Sequence, residues 1–196
     1  MLYPDELAVG LKEWDCVCQA LVQGRQILML RKGGIHESGG EFELEFRRFL
    51  LFPTFLHQDQ KMIKDSAQDL FTFTGPEPKT IQINAFVDVT DIILIRNMSQ
   101  IAAADAHHIW TERFLQMRLN YRPENPLYLL LGKVCRLPEP VMIDNHPAYG
   151  GCKSWVGLRK MINVKGSTPV LDPPTYQQHR DEIMMRVQSA AKSDNE

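Results

Sequence analysis

Along residues 5 to 22, apolar positions recur at spacings of four, three, four and three: Leu7, Leu11, Trp14, Cys18 and Leu21. That stripe predicts an amphipathic helix, with Gly24 as its stop. Gln26 to Arg31 (QILMLR) is a short apolar run bounded by glycines, and a buried strand is expected there. In EFELEFRRFLLFP, Phe42, Leu44 and Phe46 alternate with Glu43, Glu45 and Arg47. A period of two predicts a strand. The alternation slips at Arg47-Arg48 before Phe49 and Leu51 resume it, which predicts a bulge in one long strand ended by Pro53. The stretch LRKGGIHESGG before it is expected as an overlong hairpin loop.

Residues 57 to 71 carry Met62, Ile63, Ala67, Leu70 and Phe71 on one side of an expected helix, and GPEPK at 75 to 79 reads as a loop. Ile81, Ile83, Ala85, Val87 and Val89 occupy every second position, a strand that runs on or turns into Ile92 to Ile95. Asn97 or Ser99 can cap a short helix reaching His107 or His108, and Thr111 a second one holding Phe114, Leu115 and Met117. PLYLLLGKVCRL predicts a strand that Pro138 and Pro140 break. A loop through HPAYGGCK leads to a strand from Ser154 to Leu158, and a last helix from Thr175 to Ala191 places Ile183, Met184, Val187 and Ala191 on one face.

This order of elements predicts an α+β fold. Its sheet is expected to be mixed or mostly antiparallel, curved or closed into a small β-barrel, with flanking helices. Residues 1–165 are expected as a single domain and 166–196 as a C-terminal extension with an amphipathic helix and a frayed tail. That helix could serve a protein partner; the sequence leaves the oligomeric state open.

Composition narrows the function classes. A formal charge of −2 means that any nucleic-acid site must be a local basic patch. No apolar run reaches the roughly 18 to 20 residues of a membrane span, and the N-terminus is unlike a signal peptide. Cys16, Cys18, Cys135 and Cys152 do not match a zinc-finger spacing and read as reduced thiols of a cytoplasmic protein.

Four stretches together carry a family resemblance: LKEW (11–14), LRKGGIHE through FLLFPTFLHQ (30–58), HIWTERFLQMRLNYRPENPLYLLL (108–131) and YGGCKSWVGL (149–158). They resemble an uncharacterised bacterial family, common in cyanobacteria, known only as domain of unknown function 1802. The resemblance implies no activity and supplies no catalytic residues. At a weaker level, the order WDCVCQALVQGRQILMLRK, INAFVDVTDII and LYLLLGKV is similar to PUA-like domains of the ASCH and EVE types. That likeness implies a small barrel with flanking helices and binding of RNA or modified bases. Gly33-Gly34 stand where those sequences usually carry an acidic position, and GCKSW has no clear counterpart.

Candidate chemistry gathers in two places. Gly33 and Gly34, flanked by Arg31 and Lys32 and with Arg47 and Arg48 across a hairpin, could hold a phosphate, although the spacing is not that of a nucleotide P-loop. Tyr149, Lys153 and Trp155 surround a Gly-Gly turn, where an exposed aromatic platform beside a cation suits a base and its phosphate. Trp14 and Trp110 are expected in the core. Cys152 beside Lys153 could be a nucleophile, but its flanks match no cysteine-enzyme motif. His36, Glu37 and His57 have the donor types of a metal site without a diagnostic spacing. Glu43 and Glu45 read as a solvated face. The function expected is a non-enzymatic module binding RNA or a modified nucleotide, with no cofactor. The alternatives are a metal-dependent hydrolase or nuclease using His36, Glu37 and His57, and a protein-interaction scaffold.

Overall fold

The helix expected over residues 5 to 22 is half strand. In the computed structural model, β1 spans Glu6–Trp14 and only Asp15–Val22 forms helix α1. Leu7, Val9 and Leu11 also alternate, and strands on both sides satisfy the β1 backbone, which no lone helix stripe could match. Gly10 favours the same outcome. It weakens a helix, and a Cβ there would stand 3.2 Å from Phe52 Cβ and 3.3 Å from Val156 Cγ2. The structure describes residues 5–32, 35–38, 41–72, 75–151 and 153–193; the side chains of 35–38, 41–43 and 193 fall outside that description.

β2 (Leu28–Lys32) forms where the apolar run predicted it. The overlong loop is itself a ribbon: β3 (Ile35–Ser38) pairs with β4 (Glu41–Leu44) as a separate two-stranded sheet. The slip at Arg47-Arg48 is therefore no bulge. It divides β4 from β5 (Arg48–Thr54), which belongs to the main sheet and runs parallel to β1. Pro53 does not end β5 but lies inside it, opposite Glu13.

The helix expected over 57 to 71 is instead two 3-10 turns, Gln60–Met62 and Asp65–Leu70. Between them Ile63 bridges to Trp110, and Lys64 N–H donates to Ile109 O, so the backbone is spent on another segment. β6 (Thr80–Ile95) and β7 (Leu127–Asp144) form a long antiparallel ribbon. Pro138 and Pro140 do not break β7. Ile83 pairs with Val141 and Ala85 with Arg136, so both prolines fall in extra residues that make no ladder bonds. Between β6 and β7, α2 (Met98–Ala102) is capped by Asn97, and α3 (Glu112–Asn120) by Thr111.

The chain closes with β8 (Trp155–Asn163), the short β9 (Thr168–Pro169) and α4 (Pro173–Ser193). The main sheet is mixed and seven-stranded, in the order β2-β7-β6-β5-β1-β8 with β9 against β7. It curls strongly: Arg31 on β2 reaches Glu13 on β1 across 2.8 Å, although β7, β6 and β5 lie between them in the sheet. The larger core holds Leu11, Leu21, Phe49, Trp110 and Leu129; a second holds Leu50, Phe52, Ile83, Val156 and Ile162. α4 packs Tyr176, Ile183 and Val187 into the larger core, and Arg180 clamps Asp91 of β6 at 2.7 and 2.5 Å. Among the described residues no helix is long and apolar enough to cross a membrane. Cys16, Cys18 and Cys135 are free thiols; burial pushes the Cys16 thiol up to about 12.

Gly132 pairs with Val89 in the β6–β7 ladder, and a Cβ there would collide with Val87 Cγ1. We predict that Gly132→Ala destabilises the protein by about 1–3 kcal/mol through overpacking. Gly157→Ala, with no atom within 4 Å of the new Cβ, should be close to neutral. Urea denaturation of both variants checks the contrast.

Candidate functional site

β1 and β5 are parallel and finish together, at Trp14 and Thr54. Beyond these ends opens a cleft of about 600 Å³, walled also by α3, the 56–57 turn and the 145–154 segment. Such a volume suits one nucleotide-sized ligand.

One wall is aromatic. Trp110 stacks on Phe114 with centroids 5.3 Å apart and planes 13° apart, and Trp14 tilts against the other side of this group at 5.2 Å from Phe114. Trp110 is buried, as expected of a core residue, whereas Trp14 is only half-buried and lines the cleft. Thr111 caps α3 and so sets the helix phase; Phe114 and Arg118, four residues apart, then share the face toward the cleft.

The other component is cationic. Arg31 Nη2 donates to Lys12 O at 2.9 Å and to Glu13 Oε2 at 2.8 Å, while Glu13 Oε1 accepts from Trp14 N–H at 2.9 Å. Arg118 lines the same cleft. The Nε atoms of Arg31 and Arg118 are buried with no hydrogen-bond partner among the described residues. Burial first, and the Arg31 charge second, hold the Arg118 guanidinium below its ordinary pKa; Glu13 opposes the shift. Two guanidiniums thus line the cleft, and of the two only Arg31 forms an ion pair among the described residues. Lys12 and Lys153 line the cleft as well, and Lys12 Nζ donates to Gly151 O at 3.1 Å.

The rim carries two histidines. His146 Nδ1 accepts from Ala148 N–H at 3.0 Å, so neutral His146 holds its proton on Nε2. His57 has a left-handed backbone, φ 64°, which is uncommon for a residue with a Cβ. Glu77 and Asn145 complete the opposite side.

Of the residues proposed from sequence, Arg31, Tyr149 and Lys153 meet at this cleft, and His57 joins them. Lys32 turns away and donates to Leu119 O and Arg122 O at the end of α3, at 2.7 and 3.2 Å. Arg48 is bound to Asp88 at 2.5 and 2.6 Å and covers the Phe86 ring, while exposed Arg47 lies at the β4–β5 break. Tyr149 is not an exposed platform: its ring is buried against Phe52 and its hydroxyl accepts from Arg159 N–H at 3.0 Å. Trp155, half-buried, leans edgewise on Phe46 and Phe49. Gly33, Gly34 and Cys152 lie outside the described residues, as do the side chains of His36 and Glu37. Among the described residues no three His, Cys, Asp or Glu side chains group as a metal site. Arg118, Trp14 and Phe114 are the site residues that sequence reasoning passed over. The i, i+4 pairing of Phe114 with Arg118 behind a Thr cap was the available signal.

A curled mixed sheet with flanking helices and a basic, aromatic cleft at its parallel edge defines the class of fold and site. The chain belongs to the family described as Domain of unknown function (DUF1802), whose model matches residues 10–182. Crystal structures of two single-residue mutants of ZmASCH from Zymomonas mobilis are similar at 14% and 13% identity, each with a TM-score of 0.42. The matches cover 78% and 81% of this chain, and 90% and 92% of those chains. No curated protein matches the chain.

His108 backs the aromatic wall, 5.4 Å from Trp110, with both ring nitrogens buried and without a hydrogen bond among the described residues, Asp105 Oδ1 lying 4.0 Å from Nε2. Burial, then the Lys64 charge, lowers its pKa to about 4. The unfolded chain takes up this proton near pH 6.5, before the folded protein can. Stability from neutral His108 is therefore fully present above about pH 6.5 and is lost as pH falls toward 4, by up to about 3 kcal/mol. Urea midpoints at pH 7 and pH 4.5 should differ less in His108→Phe than in the wild type; an identical drop would contradict this.

Proposed function

We propose that the cleft is a binding site for RNA or a modified nucleotide, and that the protein acts as a non-enzymatic recognition module. One observation carries the reading. Arg31, paired with Glu13, and Arg118, which forms no ion pair among the described residues, both line the cleft beside the Trp14–Phe114–Trp110 wall. The excess guanidinium charge suits a phosphate, and the half-buried Trp14 offers an aromatic surface to a base. Such stacking contributes about 1–3 kcal/mol per base and tolerates any base identity.

The contacts proposed are Arg31, Arg118, Lys12 and Lys153 for phosphate, and Trp14, backed by buried Phe114, for the base. Lys32 and Arg48 leave the proposal because α3 and Asp88 already hold them. Free thiols at Cys16, Cys18 and Cys135 suit a reducing compartment, and a cytoplasmic location is part of the same proposal.

Fluorescence anisotropy with labelled single-stranded RNA and DNA, at about 50 and 200 mM salt, tests the reading. Binding should weaken with salt, quench tryptophan emission, and fall about tenfold or more in Arg118→Gln, since hydrogen bonds to charged groups contribute about 1.5–3 kcal/mol. Thermal melting of the variant confirms that it folds. Wild-type protein that binds neither strand at low salt, or a folded Arg118→Gln that binds normally, would sink the proposal.

A further inference from the structure

We infer that a nucleic-acid strand seated in the cleft continues along the outward face of β8, so that several successive nucleotides are held and not one. The inference rests on the reading above and extends it. β8 ends the sheet order, with β1 on one side and no strand of the described residues on the other. Its side chains alternate: Val156, Leu158 and Ile162 are buried, while Trp155 is half-buried and Gly157 and Arg159 are exposed. Lys153, on the cleft wall, starts the same row two residues earlier.

Charge singles out the segment. Between Asp144 and Asp172 the sequence holds no Asp or Glu, yet it holds Lys153, Arg159, Lys160 and Lys165, in a chain whose formal charge is −2. Lys165 stands 3.9 Å from Asp5. Lys153 and Arg159, on the outward row, are exposed and form no ion pair among the described residues, whereas Lys160 follows a register shift and lines a separate hollow with Glu6 and Glu139. A local cationic row on a near-neutral protein is the footprint of a polyanion.

Shape agrees with charge. Neither Gly151 nor Gly157 has an atom within 4 Å of where a Cβ would stand, so a backbone can approach closely. The Trp155 ring, braced by Phe46 and Phe49 at 5.3 and 5.1 Å, is fixed in orientation and still part-exposed between the cations. Lys153 to Arg159 spans about 20 Å of strand. Together with the cleft this makes a site of about four nucleotides, at the small end for grooves that track a single strand.

The test compares uridine 5′-monophosphate, a uridine tetranucleotide and an octanucleotide by titration calorimetry, on wild-type protein, Arg159→Ala and Arg118→Gln. The tetranucleotide should bind about tenfold or more tighter than the monophosphate, a gain of about 1.4 kcal/mol. The octanucleotide should add little. Arg159→Ala should lose most of the tetranucleotide gain, leave the monophosphate unchanged, and flatten the log–log salt slope by about 0.7, one phosphate's share. Equal affinity for monophosphate and tetranucleotide overturns the β8 path. So does unchanged tetranucleotide affinity in Arg159→Ala; self-association of that variant would then assign Arg159 to guarding the edge strand. If none of the three ligands binds, or if Arg118→Gln binds all of them normally, the cleft reading itself falls, and the path with it.

Discussion

The Arg31–Glu13 ion pair is the contact on which the site depends. Sheet order puts β2 and β1 far apart, and only strong curling lets a β2 guanidinium meet a β1 carboxylate at 2.8 Å. Arg31 also donates to Lys12 O, so the closure holds side chain and backbone together. Both partners are largely buried, with side chains 13% and 14% exposed. A pair that dry adds little net stability, because desolvation offsets most of the attraction. Its contribution is geometric: it fixes how the two ends of the curl face each other, and the cleft is the space they leave.

The same pair sets the electrostatics of that space. Glu13 is already engaged, by Arg31 through one oxygen and by the Trp14 amide through the other. Arg118 arrives on α3 with its Nε buried and no partner of its own among the described residues. Desolvating a guanidinium is costly, and an anion that reaches one in a part-buried cleft offsets part of that cost. The aromatic wall beside it lowers the local dielectric and strengthens that attraction. Charge and stacking surface therefore come from different elements, β1, β2 and α3, which only the folded chain assembles.

Local chemistry decided several elements outright. The period-two run from Ile81 to Val89, the apolar LYLLL of β7, and the caps at Asn97 and Thr111 are readable because their determinants lie within a few residues. Elsewhere local patterns were ambiguous. Leu7, Leu11 and Trp14 fit a helix stripe, yet two flanking strands made β1 the better way to satisfy its backbone. Residues 57 to 71 fit a helix until Ile63 and Lys64 paired with 109 and 110. Pro138 and Pro140 signal a break in isolation, but a ladder with extra residues on one side accommodates them.

The sequence by itself determined the α+β class, the family, and the aromatic-plus-basic character of the segments that reach the cleft. Those properties follow from residue type and short-range periodicity. Tertiary structure alone decided which cations face the cleft. Arg31 and Lys32 are neighbours, yet alternation along β2 and the position of α3 send one to Glu13 and the other to the carbonyls of Leu119 and Arg122. It likewise buried Tyr149 and brought Arg118 opposite Arg31. Contacts between residues so distant in sequence depend on how the sheet curls, and no local pattern encodes that curvature.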